Sequence, residues 1–239
     1  MTRSRFVSCL LAGVVVAGTA LADARYTTTE PSPDGIGRVY MGREISAVMG
    51  WQGAAWLERA AREQEERTDL LLDALTPVPG LVVADIGAGT GYLSRRMARA
   101  VAPTGKVFAV DVQPQMVRLL ERVAAEEAGV IPLLGAEDDV RLPADSVDLA
   151  IMVDVYHELA RPFEVLASLV RAVKPGGRVV FVEYRAEDPR VPIKRLHRMS
   201  EAQIRREAAA VGLEFERTDG RLPWQHCVVM RKPAKQFTH

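Results

Sequence analysis

From residue 81 to residue 185, short β-branched apolar runs alternate with stretches whose apolar residues recur every three or four positions. The short runs predict strands over 81–85, 106–111, 130–134, 147–153 and 178–184, and the amphipathic stretches predict helices near 91–101, 114–128 and 162–173. Strands that are apolar throughout are buried on both faces, so the pattern predicts a parallel sheet covered by helices on each side. Pro162 suits a first helical turn, and Ser200-Glu201-Ala202-Gln203 has the form of a capping box that opens another helix. Beyond it, strand-like runs at 213–217 and 226–231 are joined by a connection too short for a helical crossover, so they should pair antiparallel.

Upstream the pattern is less regular. Residues 57–75 carry a helical charge pattern that stops at Thr76-Pro77-Val78-Pro79-Gly80. Between 39 and 61, aromatic and aliphatic residues mixed with glycines predict short, interrupted helices, so 38–76 reads as a helical lid ahead of a catalytic domain over 77–239. The Thr-, Pro-, Asp- and Gly-rich stretch 23–37 reads as a linker or extended arm with no packed element. At the start of the chain, Arg3 and Arg5 precede a run without charge from Phe6 to Leu21, and Ala20-Leu21-Ala22 is a small-x-small site. This predicts a signal peptide over 1–22, with an uncleaved N-terminal anchor as the alternative. Either places the rest of the chain outside the cytoplasm, periplasmic or secreted, or tethered to the membrane.

Composition narrows the function. Of 239 residues 48% are hydrophobic and 26% charged, which supports a sizeable core and excludes a disordered chain. Basic and acidic residues balance at 31 each, so there is no global electrostatic footprint for nucleic acid. Two cysteines, Cys9 and Cys227, exclude a disulfide framework, and the histidines at 157, 197, 226 and 239 show no metal-ligand spacing, so no metal is expected.

The chemistry concentrates in Val83-Ala84-Asp85-Ile86-Gly87-Ala88-Gly89-Thr90-Gly91, where a buried strand runs into a helix. Glycines there allow a tight turn and let the backbone approach a ligand at a helix N-terminus. Asp111 closes the next strand, 24 residues after Gly87, where an acid can accept both hydroxyls of a ribose. NAD is the competing cofactor for such an acid. Its sites favour G-x-G-x-x-G, however, whereas this turn is G-x-G-x-G with Asp85 just before it.

The stretches D-I-G-A-G-T-G-Y, A-V-D-V-Q, G-A-E-D, D-S-V-D-L-A-I-M-V-D-V-Y-H-E-L and V-K-P-G-G-R-V-V-F-V-E-Y, in this order, resemble the class I methyltransferases dependent on S-adenosylmethionine (SAM) over roughly residues 60–232. The resemblance implies an α/β, Rossmann-like fold: a seven-stranded, mostly parallel sheet in order 3-2-1-4-5-7-6, with strand 7 antiparallel and helices on both faces. It implies that Asp85, Gly87, Ala88, Gly89 and Gly91 hold the methionine part of SAM, that Asp111 holds the ribose, and that Ala136, Glu137 and Asp138 flank the adenine. Tyr92, Val112 and Val153 complete the implied cofactor set. The quinone-ring and small-molecule methylating branches look most similar. Asn-Pro-Pro-Tyr, the mark of many amino-group methylators of adenine and glutamine, is replaced here by Val153-Asp154-Val155-Tyr156. The expected partner is therefore a small-molecule acceptor, and a SAM-fold binding protein without catalysis is the alternative from another class.

Ligands of an open parallel sheet bind beyond the carboxyl ends of its strands. That places Tyr156, His157 and Glu183 as candidate catalytic residues facing the acceptor, with His157 or Tyr156 as a base if the acceptor must lose a proton. Asp154 and Glu183 could instead hold a divalent cation. Tyr40–Trp56 and the loop with Lys194, His197 and Met199 are the candidate walls of an apolar pocket, and Arg38 and Arg43 could meet an acidic group.

Overall fold

The computed structural model describes residues 25–234. The segment read as a signal peptide or anchor lies outside these residues. Among the described helices none is long and apolar enough to cross a membrane.

Three strands open the described chain: β1 (Tyr26–Thr28), β2 (Gly35–Tyr40) and β3 (Arg43–Ser46). They form an antiparallel sheet in order β1-β2-β3. This corrects the expectation of a linker over 23–37 and of helices from 39. The β2–β3 hairpin turns on Met41 and Gly42, with φ of 46° and 90°. A two-residue turn with both φ positive matches the twist of a hairpin, but Asn-Gly is its usual signature and Met-Gly hides it. Short helices follow as α1 (Ala54–Leu57), α2 (Arg62–Glu66) and α3 (Thr68–Leu75). The single helix expected over 57–75 is broken at Arg67, whose φ is 53°.

The main sheet comprises β4 (Val82–Ile86), β5 (Lys106–Asp111), β6 (Val130–Leu134), β7 (Val147–Val153), β8 (Val173–Arg185), β10 (Glu214–Asp219) and β11 (Gln225–Arg231), with the two-residue β9 (Arg198–Met199) beside β8. Its order is β10-β11-β8-β7-β4-β5-β6. The pairs from β6 to β8 are parallel, and β11 runs antiparallel to both β8 and β10. Numbering the seven long strands in chain order gives 3-2-1-4-5-7-6, as the resemblance implies. Lys174-Pro175-Gly176-Gly177 sits within β8, where the register to β7 shifts between Val147 and Leu149.

Helices α4 (Tyr92–Val101), α5 (Pro114–Glu126), α6 (Pro162–Ala172) and α7 (Glu201–Ala209) cover the sheet. Alternate residues of each strand point to opposite faces. Leu149 and Ile151 of β7 therefore join α3 and α4 through Leu71, Leu93 and Met97. Ala150 and Met152 join α6 and α7 through Leu166, Leu169 and Ile204. Each fully buried aliphatic side chain contributes about 1.5–3 kcal/mol, which is what holds the two helical layers on the sheet. Helix α7 starts as its sequence signals: Ser200 Oγ accepts the Gln203 N–H at 3.1 Å.

The small sheet is tied to the segment that follows β7. Arg43 donates to Glu207 at 2.7 and 3.0 Å and to the His157 carbonyl at 3.2 Å. Arg38 reaches the Ala160 carbonyl at 3.2 Å, and Tyr26 donates to Glu164. Both arginines are thus engaged with the fold, which removes them as candidates for an acidic group of a ligand.

Candidate active site

Strand β4 ends in the glycine turn. Gly87, Gly89 and Gly91 have φ of 70°, 56° and 80°, values that a side chain makes costly. A Cβ on Gly87 would come within 2.3 Å of Val155 Cγ2, and one on Gly89 within 2.7 Å of Leu57 Cδ1. The turn is anchored to the neighbouring strand by the N–H groups of Gly87 and Ala88, which donate to the Val110 carbonyl at 2.8 and 3.0 Å. At the end of that strand, Asp111 accepts the Gly89 N–H at 3.0 Å and the Gln113 N–H at 2.9 Å. Burial pushes its carboxyl up, against the pull of those N–H groups.

Over these strand ends lies a cavity of about 480 Å³, within the roughly 300–1,000 Å³ of small-molecule sites. Its lining includes Gly87, Gly89, Asp111, Val112, Ala136 and Glu137, and also Val48, Met49, Trp56, His157, Lys194 and His197. Residues of the 38–56 segment and of the loop after β8 therefore line the same cavity, and Lys194 pairs with Asp34. Val153 also lines the cavity. A small side cleft is lined by Asp85, Ala88, Tyr92 and Arg62.

Two implied cofactor residues, Asp138 and Gly91, stand elsewhere. Asp138 is exposed and does not line the cavity, because the loop after β6 turns it outward. Gly91 is buried where α4 packs, its missing Cβ leaving room for Leu120 Cδ2 at 3.0 Å. The Tyr92 hydroxyl donates to Glu63 at 3.1 Å and so braces the helical segment above the turn.

Of the three candidate catalytic residues, only His157 lines the cavity. The 3-10 turn Tyr156–Glu158 sends neighbouring side chains in opposite directions. Tyr156 points into the core, its ring 4.9 Å from that of Phe181 and its hydroxyl donating to Glu207 at 2.7 Å. Burial and the Glu207 charge raise its pKa well above the usual range, so Tyr156 is not a base for an acceptor. Glu183 is fully buried behind His157. Its two oxygens take the Tyr156 N–H at 2.8 Å and His157 Nδ1 at 2.6 Å, which leaves no pair with Asp154 for a cation. Met199 is likewise buried rather than on the rim.

His157 has an unusual setting. Burial favours its neutral form, but the Glu183 charge and hydrogen bonds to Glu158 and Glu183 outweigh this and push its pKa up to about 10. Glu183 engages Nδ1 of the ring, and Nε2 faces His197. Glu158 is driven the other way, to about 2, where hydrogen bonds to His157 and His197 overcome its burial.

Sequence reasoning offered Asp154 only as a partner of Glu183 for a cation, and missed Arg62. Asp154 has φ 53°, and its buried Oδ1 has no hydrogen-bond partner, while Oδ2 accepts from Gln225 at 3.0 Å. Strain and an orphaned acceptor on a cavity wall mark a place prepared for a ligand donor. Arg62, read as part of a solvated charge pattern, is buried; it donates to Glu66 and to the Leu57 carbonyl, both at 2.9 Å, and lines cavity and cleft alike.

Residues 84–179 match the family model described as a methyltransferase domain. Over 107 residues the chain is 34% identical to the ubiquinone/menaquinone biosynthesis C-methyltransferase UbiE of Burkholderia vietnamiensis, a stretch covering 44% of this chain and 44% of that protein. The chain thus spans less than half the length of the curated relatives it matches. A SAM-dependent methyltransferase structure from Aquifex aeolicus superposes with a TM-score of 0.72 at 22% identity, over 77% of this chain and 99% of that one. A structure titled a possible exported protein from Bordetella parapertussis gives 0.53 at 23% identity, over 73% and 69%. The fold is that of the class I methyltransferases, and residues 84–179 match a methyltransferase domain. SAM is the cofactor named for the matching structure from Aquifex aeolicus. The bare glycine turn, Asp111 and the orphaned Asp154 oxygen fit that cofactor.

Asp85 offers a test of the electrostatics under the turn. Buried and bonded by Ser94 Oγ at 2.6 Å, it has its pKa pushed up to about 6 by burial. Between the unfolded value near 3.8 and about 6 the native state binds the extra proton, so stability falls as pH rises through that window, by up to about 3 kcal/mol. Denaturant titrations of the ligand-free protein at pH 4 and pH 7 should show a smaller loss in Asp85→Asn than in wild type. An identical loss would place the proton elsewhere.

Proposed function

We propose that the protein transfers a methyl group from SAM to an apolar small molecule held between the 38–56 segment and the loop at 193–197. The observation that carries this is one cavity lined both by Asp111 and Glu137 and by the apolar residues Ile36, Val48, Met49, Trp56, Leu159 and Ile193. When bound, SAM supplies a methyl on a sulfonium, the electrophile of an in-line displacement. Asp111 would hold the ribose hydroxyls and Glu137 would lie beside the adenine. The glycine turn would admit the methionine part, with Asp154 and Arg62 as polar groups of the same cavity. Catalysis by this lining is chiefly positioning and exclusion of water, the contribution worth most in a displacement between two bound molecules. The quinone-methylating name of the UbiE relative supports a ring-containing acceptor.

Incubation with methyl-labelled SAM and a panel of apolar ring compounds should move label into an organic-extractable product. Binding of S-adenosylhomocysteine with no acceptor labelled would favour a binding protein without catalysis. We further infer export through residues 1–22, supported by Arg3, Arg5, the uncharged run and Ala20-Leu21-Ala22. Protein from the native host should then begin at Asp23 or remain membrane-bound with Met1; Met1 on soluble cytoplasmic protein would refute it.

A further inference from the structure

We propose that His157, Glu158 and His197 form a binding site for one divalent transition-metal ion on the acceptor side of the cavity. The histidines are forty positions apart in the chain, which is why their spacing gives no sign of a shared site. The parallel neighbours β7 and β8 bring the loops that follow them together. His157 Nε2 lies 3.1 Å from His197 Nδ1. Glu158 Oε1 lies 3.7 Å from the first and 3.6 Å from the second. The circumcentre of that triangle is about 2.0 Å from all three atoms, the length of a zinc bond to imidazole nitrogen or carboxylate oxygen.

The surrounding groups orient these atoms as metal ligands are oriented. Glu183 Oε2 engages the other nitrogen of His157 at 2.6 Å, and Glu183 is itself fixed by the Tyr156 N–H at 2.8 Å. A carboxylate behind a histidine sets its tautomer and raises its basicity toward a metal. Glu158 Oε2 accepts the Met49 N–H at 3.1 Å, which leaves Oε1 turned toward the histidines. All three residues line the cavity, so further coordination positions open into it. Three protein ligands with an open position describe a reactive site and not a structural one. Two imidazoles and one carboxylate suit zinc, cobalt or ferrous iron and are too nitrogen-rich for magnesium or calcium.

Tag-free, metal-stripped full-length protein titrated with Co²⁺ should bind one ion per chain, with visible ligand-field bands that Zn²⁺ displaces. His197→Ala and, independently, Glu158→Gln should weaken Co²⁺ binding by about a hundredfold or more, and Glu183→Gln by about ten- to a hundredfold. A single cooperative unfolding transition in denaturant reports that His197→Ala is folded. Absence of stoichiometric Co²⁺ and Zn²⁺ uptake by wild type would overturn the site, as would equal uptake by the His197→Ala and Glu158→Gln variants.

Discussion

Arg43→Ala should destabilise the protein by about 3–5 kcal/mol, the cost of stranding a buried charge. Glu207 is completely buried and receives Arg43 at 2.7 and 3.0 Å and the Tyr156 hydroxyl at 2.7 Å. Arg43 is also the bridge from the small sheet to the His157 carbonyl, so its loss frees that sheet from the cavity wall. Denaturant unfolding should show the lower midpoint. Arg43→Met with Glu207→Leu and Tyr156→Phe should recover much of the stability, because an apolar set leaves no charge or hydroxyl unpaired. A single Arg43→Ala variant as stable as wild type would contradict a buried pair at this junction.

Gly87→Ala should lower cofactor affinity by about a hundredfold, equivalent to roughly 3 kcal/mol. The new Cβ meets a left-handed φ of 70° and a Val155 methyl at 2.3 Å, on a turn bonded to Val110 at both Gly87 and Ala88. Either Val155 moves into the cavity or the turn moves out of register. Gly176→Ala is the control: its φ is 80°, but a Cβ there meets nothing within 4 Å. It incurs the backbone strain, about 1–2 kcal/mol, without touching the site. Calorimetry with S-adenosylhomocysteine should separate the two variants. Equal affinity in Gly87→Ala and wild type would remove the turn from the cofactor site.

The central strands of the main sheet are legible in the sequence because they are buried on two faces and bounded by helical periodicity. The strands at 106–111, 130–134 and 147–153 fall where the apolar runs fall. The N-terminal sheet is not legible for the opposite reason. Its strands have three to six residues and only partial burial, and its hairpin turns on Met41-Gly42.

Within the site, Asp111 and the glycine turn are readable because their chemistry is local to a strand end. Tyr156 and His157 are adjacent in sequence and opposite in role, a consequence of a 3-10 turn that no spacing reveals. Arg62 hides because a buried i,i+4 pair with Glu66 has the same pattern as a solvated one. His157 with His197 is a tertiary pairing set by strand order alone.

The central claim is that this chain binds SAM at the end of β4 and β5. Calorimetric titration of the purified protein with S-adenosylhomocysteine, alongside Asp111→Ala, tests it most directly. One site per chain in wild type, weakened about ten- to a hundredfold in the variant through loss of a charge-assisted hydrogen bond, is the predicted result. No saturable binding by wild type, or an affinity unchanged by Asp111→Ala, would contradict it.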